Sequence, residues 1–247
     1  MRKQTNMQEV KALARSFLMF DPEPTELSPL VVKHPFTDSG IVGIRTPDGE
    51  YAIGNIMENP EDLQTWRKQV SRQIDSADSV MQIAYMLTNS YSIGFLKYVQ
   101  SYLDKTDFSQ LLGYLWVCTE APNSDPNLSK IQMLNLFRKA DPAVLMEEAE
   151  LQRFRQLEDV VTVYRGVTSH NADNVLALSW TLDRDKAQWF AHRFGENGTV
   201  YEAQITKQHI YAFLNSRGES EVIVDPRGLQ DITESQDEGM ALTQNQL

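Results

Sequence analysis

The chain has 247 residues, enough to bury a sizeable core as one larger domain or two small ones. Hydrophobic residues make up 41% and charged residues 23%, which places it with globular chains rather than disordered or fibrous ones. The formal charge of −11 argues against broad binding to a phosphate backbone, and no apolar run approaches the ~20 residues that a membrane helix needs.

In chain order, residues 7 to 19 carry a helical pattern. Phe17-Leu18-Met19-Phe20 within it is too short for the apolar core of a signal peptide. Pro22, Pro24, Pro29 and Pro35 then punctuate an extended connection. Ile41 to Arg45 and Glu50 to Ile56 flank Thr46-Pro47-Asp48-Gly49, a hairpin signature. From Asn59 the pattern turns helical. Asn59-Pro60-Glu61-Asp62 supplies a cap, a proline and first-turn acids, and Leu63, Trp66, Val70 and Ile74 recur at helical spacing. Similar stripes predict helices near 78–89, 91–104, 107–118, 128–139 and 142–156. Met81, Tyr85, Phe95, Tyr98, Tyr114 and Trp116 on these stripes read as core rather than as a ligand box. Cys118 stands alone and reads as a buried thiol, with no intrachain disulfide or cysteine zinc cluster possible. These features favour a cytoplasmic protein, or one delivered into a target cell's cytoplasm.

Beyond Val160 the pattern changes to strands: Val160 to Tyr164, Ala177 to Thr181, Thr199 to Ile205 and Glu221 to Val224, with one helix over 185–191. The fold class is therefore α+β. A mixed segment over 1–157, a hairpin followed by helices, precedes a strand-rich core over 158–233 and a polar, glutamine-rich tail over 234–247; the helices either pack against that core as part of the same domain or form an interaction domain beside it.

Three short segments in the core carry candidate chemistry. Glu219 and Glu221 stand at the head of the apolar run Val222-Ile223-Val224; if the strand reaches back through both, they share one sheet face. Carboxylates that close ionise together only with cations or polar substrate between them. Upstream, Tyr164-Arg165-Gly166 offers a planar guanidinium suited to phosphate oxygens and a glycine that lets backbone approach a flat ring. Ser179-Trp180-Thr181 puts two hydroxyls on one face and Trp180 behind it. Taken singly, each has an ordinary reading as a solvated strand, a salt bridge or a satisfied polar group. Rival motifs are missing from the sequence. There is no Gly-x-Gly-x-x-Gly or Walker loop, no His-Glu-x-x-His and no nucleophile elbow, and His34, His170, His192 and His209 show no ligand spacing.

In this order and spacing, over about residues 162–226, the aromatic-Arg, Ser-x-Thr and Glu-x-Glu segments resemble the arginine–serine–glutamate class of ADP-ribosyltransferases. That class includes bacterial and phage mono-ADP-ribosyltransferases and toxins. The resemblance implies a split, twisted β-sheet core, NAD as substrate and no metal. It implies that Glu221 stabilises the ribose cation and that Glu219 takes the proton of the nucleophile. Ser179 would orient Glu221, with Thr181 supporting the same scaffold. Arg165 would bind phosphate, the backbone at Gly166 would hold the nicotinamide amide, and Phe190 would present an aromatic ring to the nicotinamide. Phe213, Asn215 and Arg217 would lie in the loop that recognises the target. Glutamate at position 219 implies a protein arginine as acceptor. Alternatives are a base of RNA or DNA, water as in an NAD glycohydrolase, and a degenerate module that only binds NAD or a partner. The helical half would then be the place for an inhibitory or antitoxin partner.

Overall fold

The computed structural model describes residues 3–46, 48–120, 122–169, 171, 174–195 and 197–235. Pro47, His170 and the tail from residue 236 onward lie outside these described residues. The chain divides between Ser129 and Lys130 into two compact units.

The first unit is built on α1 (Met7–Leu18), α2 (Pro60–Ser76), α3 (Val80–Ala84), α4 (Asn89–Val99) and α5 (Lys105–Cys118). Asn59 caps α2 by accepting from the Glu61 amide at 2.9 Å, as its position before Pro60 predicts. The proline-punctuated stretch does more than connect. It pairs into a small antiparallel sheet of β1 (Glu23–Pro24), β2 (Val31–His34) and β3 (Thr37–Ser39). Pro24 is tolerated there because β1 is an exposed edge strand. The expected hairpin forms from β4 (Ile41–Arg45) and β5 (Tyr51–Asn55). Of the aromatic set read as core, Met81, Phe95 and Trp116 are buried, whereas Tyr85 and Tyr98 are exposed.

The second unit begins with α6 (Lys130–Lys139), α7 (Pro142–Leu145) and α8 (Glu148–Arg155). These helices, which fall within the segment 1–157, lie against β9 (Ile210–Leu214). The remaining strands are β6 (Val160–Val167), β7 (Ser179–Thr181), β8 (Thr199–Thr206), β10 (Glu221–Val224) and β11 (Leu229–Glu234). They form an antiparallel six-stranded sheet in the order β11-β8-β6-β7-β10-β9. β6 and β8 pair continuously from Val160 with Thr206 to Val167 with Thr199. β6 and β7, by contrast, share one registered pair, Tyr164 with Thr181.

Helix α9 (Arg184–His192) starts where Asp183 accepts from the amides of Asp185 (2.9 Å) and Lys186 (3.2 Å). It packs on β6 through Ala187 and Ala191, both fully buried. The approach is so close that a Cβ on Gly166 would lie 2.0 Å from the Ala187 carbonyl oxygen. Asp225, just past β10, ties α6 to the sheet. Its carboxylate accepts from Arg138 at 2.6 Å and from Arg227 at 2.8 Å. These guanidinium contacts, the Arg227 hydrogen bond first, hold its pKa down at about 2.

Candidate active site

Glu221 opens β10 and is paired in register with Thr181 on β7 and Leu214 on β9. Ser179 pairs with Ile223, so alternation puts its hydroxyl diagonally across from the Glu221 side chain. Ser179 Oγ donates to Glu221 Oε1. The carboxylate is only 6% exposed, so its charge is costly without such partners and its orientation is fixed by them.

Arg165 comes from β6, on the far side of the single β6–β7 rung. Its Nη1 donates to the Ser179 carbonyl at 2.6 Å and its Nε to the Asn174 carbonyl at 3.1 Å. Burial pushes its pKa down to about 10, opposed by the carboxylate of Glu221 and reinforced by the charge of Arg193. It remains a cation near neutral pH. The structure thus brings Arg165, Ser179 and Glu221 together from three consecutive strands of the sheet.

Glu219 reaches the same place by a different route from the one alternation predicts. β10 begins at Glu221, and Ser220 has a left-handed backbone (φ 46°), so Glu219 lies outside the strand. The segment is held instead by cross-links to β7. Thr181 Oγ1 donates to the Glu219 carbonyl at 2.7 Å, and the Leu182 amide donates to the Ser220 carbonyl at 3.0 Å. Gly218 is also left-handed (φ 66°), and the two turns curl the chain until Arg217 faces the carboxylates. Arg217 Nη2 stands 2.8 Å from Glu219 Oε2 and 4.0 Å from Glu221 Oε2.

The sequence gives no hint of what anchors this loop. Glu150 of α8, buried, accepts the amides of Asn215 (2.5 Å) and Ser216 (3.1 Å) on Oε1, while its Oε2 accepts the Glu147 amide (3.0 Å). Asn215 relays the anchor, because its Oδ1 accepts the Ser220 amide at 2.9 Å and its carbonyl accepts the Gly218 amide at 2.8 Å. Within the acidic stretch 147–150 nothing distinguishes Glu150 beforehand, since its partners lie some 65 residues away.

One expected site residue is placed differently. Phe213 belongs to β9 rather than to the loop. It is buried, paired with Val222, and its amide faces Met146 Sδ at 3.2 Å. The missing side chain of Gly166 makes room for the backbone of α9, since a Cβ would also meet the Ala191 nitrogen at 2.6 Å. Phe190, half-buried, stands over that same glycine, with Arg193 stacked on its ring at 5.2 Å. Trp180 is buried behind β7, its Nε1 donating to the Ala177 carbonyl at 3.2 Å.

A cavity of about 430 Å³ opens beside Ser220, where Tyr164, Leu182 and Phe213 meet two arginines and two aspartates, Arg153, Arg184, Asp183 and Asp185. Its charges balance, so it favours neither sign of ion, and neither Arg165 nor Glu221 lines it. Among the described residues no group of three or more His, Cys, Asp or Glu side chains is placed to hold a metal ion. No protein-family model, curated protein or solved structure matches this chain.

Proposed function

We propose that this chain is an NAD-dependent mono-ADP-ribosyltransferase, which cleaves the nicotinamide–ribose bond and passes ADP-ribose to an arginine on a protein. One observation carries the reading: Glu221 is buried, oriented by the Ser179 hydroxyl, and within electrostatic reach of the Arg165 guanidinium. The β6–β7 junction of the six-stranded sheet has a single registered pair, and that is the place where the split implied by the resemblance would fall.

As nicotinamide leaves with the bonding electron pair, positive charge develops on the ribose ring. A fixed carboxylate in a water-poor site stabilises that charge, which is the role for Glu221. Arg165, cationic and rigidly held, supplies the counter-charge for the pyrophosphate. Glu219 is more exposed, at 21%, and already holds a guanidinium, so it suits an acceptor of that chemistry and can take its proton.

The test uses NAD labelled on its adenylate half, incubated with purified protein and cell lysate, wild type beside Glu221→Gln. Expected are nicotinamide release and labelled protein with the wild type alone. Label confined to RNA or DNA would overturn the arginine acceptor, free ADP-ribose alone would point to a glycohydrolase, and no nicotinamide under any condition would sink the enzymatic reading.

A further inference from the structure

We infer that Arg217 is itself an acceptor, a site of self-modification built into the loop that carries Glu219. The inference rests on the transferase reading above. An acceptor guanidinium must satisfy two conditions at once: its nitrogen must touch the carboxylate that removes its proton, and it must lie beside the carboxylate that faces the ribose. Arg217 Nη2 meets both, at 2.8 Å from Glu219 and 4.0 Å from Glu221.

The placement is built rather than incidental. Left-handed Gly218 and Ser220 fold Arg217 back over Glu219, and the Asn215 side chain pins the turn through the Ser220 amide. Glu150 then holds the start of the loop through two consecutive amides. Three other arginines of this unit are committed elsewhere. Arg165 donates to two backbone carbonyls, and Arg138 and Arg227 both clamp the buried Asp225. Arg217 is 37% exposed, so it has room to carry an adduct.

The step balances without an oxidant or reductant. The bond between the ribose C1′ of NAD and nicotinamide breaks, and its electron pair leaves with nicotinamide. A guanidinium nitrogen of Arg217 yields its proton to Glu219, and the freed lone pair forms the new bond to C1′. The product keeps the guanidinium charge but fills the space beside Glu219 and Glu221 with the ribose and a negatively charged pyrophosphate. A modified loop therefore receives a second guanidinium poorly, and self-modification slows transfer to outside acceptors.

The experiment incubates the full-length purified protein alone with NAD, maps peptides by mass, and follows nicotinamide in parallel over a wide range of protein concentration. Expected is one ADP-ribose per chain at Arg217, with a fractional rate that does not change on dilution, as an intramolecular step requires. Prior incubation with NAD then lowers the later rate of transfer to a small guanidine such as agmatine. Nicotinamide release or agmatine labelling with Arg217 unmodified would overturn this inference while leaving the transferase reading intact. A modification rate that falls in proportion to dilution would also overturn it. No nicotinamide release at all would overturn both. Because the wild type carries the decisive readout, no variant needs to fold. Arg217→Lys serves only to confirm that the mapped adduct disappears from that peptide.

Discussion

Among the described residues, the buried polar side chains of the N-terminal unit are His34, Ser92, Ser109 and Thr119, and none of them carries a formal charge. Ser92 donates to the Thr88 carbonyl at 3.1 Å and Ser109 to the Lys105 carbonyl at 2.7 Å, within their own helices. His34 sits against the Leu18 carbonyl and the edge of Trp66, and burial drives its pKa down to about 4, so it is kept neutral. The C-terminal unit instead buries three carboxylates, Glu150, Glu221 and Asp225. Buried charge is expensive and persists where something depends on it. Asp225 clamps two arginines and Glu150 anchors a loop. Glu221 is oriented by a hydroxyl and faces the curled loop that carries Arg217. One unit uses polarity to finish its packing, and the other uses charge to hold a site in position.

The largest effect that would sharpen this contrast comes from Glu221→Gln. It keeps the shape of the side chain, so nicotinamide release should fall by ~10²–10³ while the melting temperature changes little, because the lost term is transition-state stabilisation. A large fall in melting temperature with proportionate loss of activity would instead make Glu221 a scaffold residue.

Acid should separate the units next. The unfolded chain protonates His34 near 6.5 and the folded chain near 4. Stability from the neutral ring is therefore complete above pH 6.5 and declines, by about 3 kcal/mol in all, as pH falls to about 4. Asp225 is held low, so its contribution, about 2 kcal/mol, is complete above its ordinary 3.8 and is lost as pH falls through about 2. Hydrogen-exchange protection, corrected for intrinsic rates, should thus weaken in β2 between pH 6.5 and 4 while β10 holds until lower pH. Simultaneous loss in both would break the distinction.

Glycine substitutions give a smaller contrast. Gly166→Ala forces a Cβ into the backbone of α9 and should cost ~1–3 kcal/mol in denaturant titration. Gly94→Ala in α4 meets only the amide end of Asn127, at 3.3 Å, and gains ~1 kcal/mol of helix preference, so it should be near neutral. A modest stability effect is expected from Glu150→Gln, which keeps one acceptor oxygen for the loop amides and should cost about 1 kcal/mol. Its signature is kinetic: KM for a guanidine acceptor should rise while nicotinamide release to water is nearly unchanged. Equal loss of both would place Glu150 in the packing alone.

Much of this was legible in the residues. The cap at Asn59, the hairpin around Asp48-Gly49 and the α9 helix follow local rules, and each forms near its expected place. Arg165, Ser179 and Glu221 stand out only through the combined order of their three segments, since each alone reads as an ordinary strand residue. β9 escaped because Ile210 to Leu214 is a short apolar run without alternation, and β11 because five of its six residues are exposed and polarity hides it. The position of Glu219 was misjudged because alternation assumes a strand, and the left-handed Ser220 ends it. Glu150 depends on contacts between segments far apart in the chain, which no local pattern encodes.

The single registered pair between Tyr164 and Thr181 has a mechanical consequence. Three strands lie on each side of that rung, which is worth about 0.5–1.5 kcal/mol per hydrogen bond, against a ladder of eight pairs between β6 and β8. Arg165 belongs to one side, and Ser179 and Glu221 to the other. Its guanidinium crosses the junction to the Ser179 carbonyl at 2.6 Å. The side chain is therefore a brace as well as a charge, tying the sheet together where its backbone ladder is thinnest.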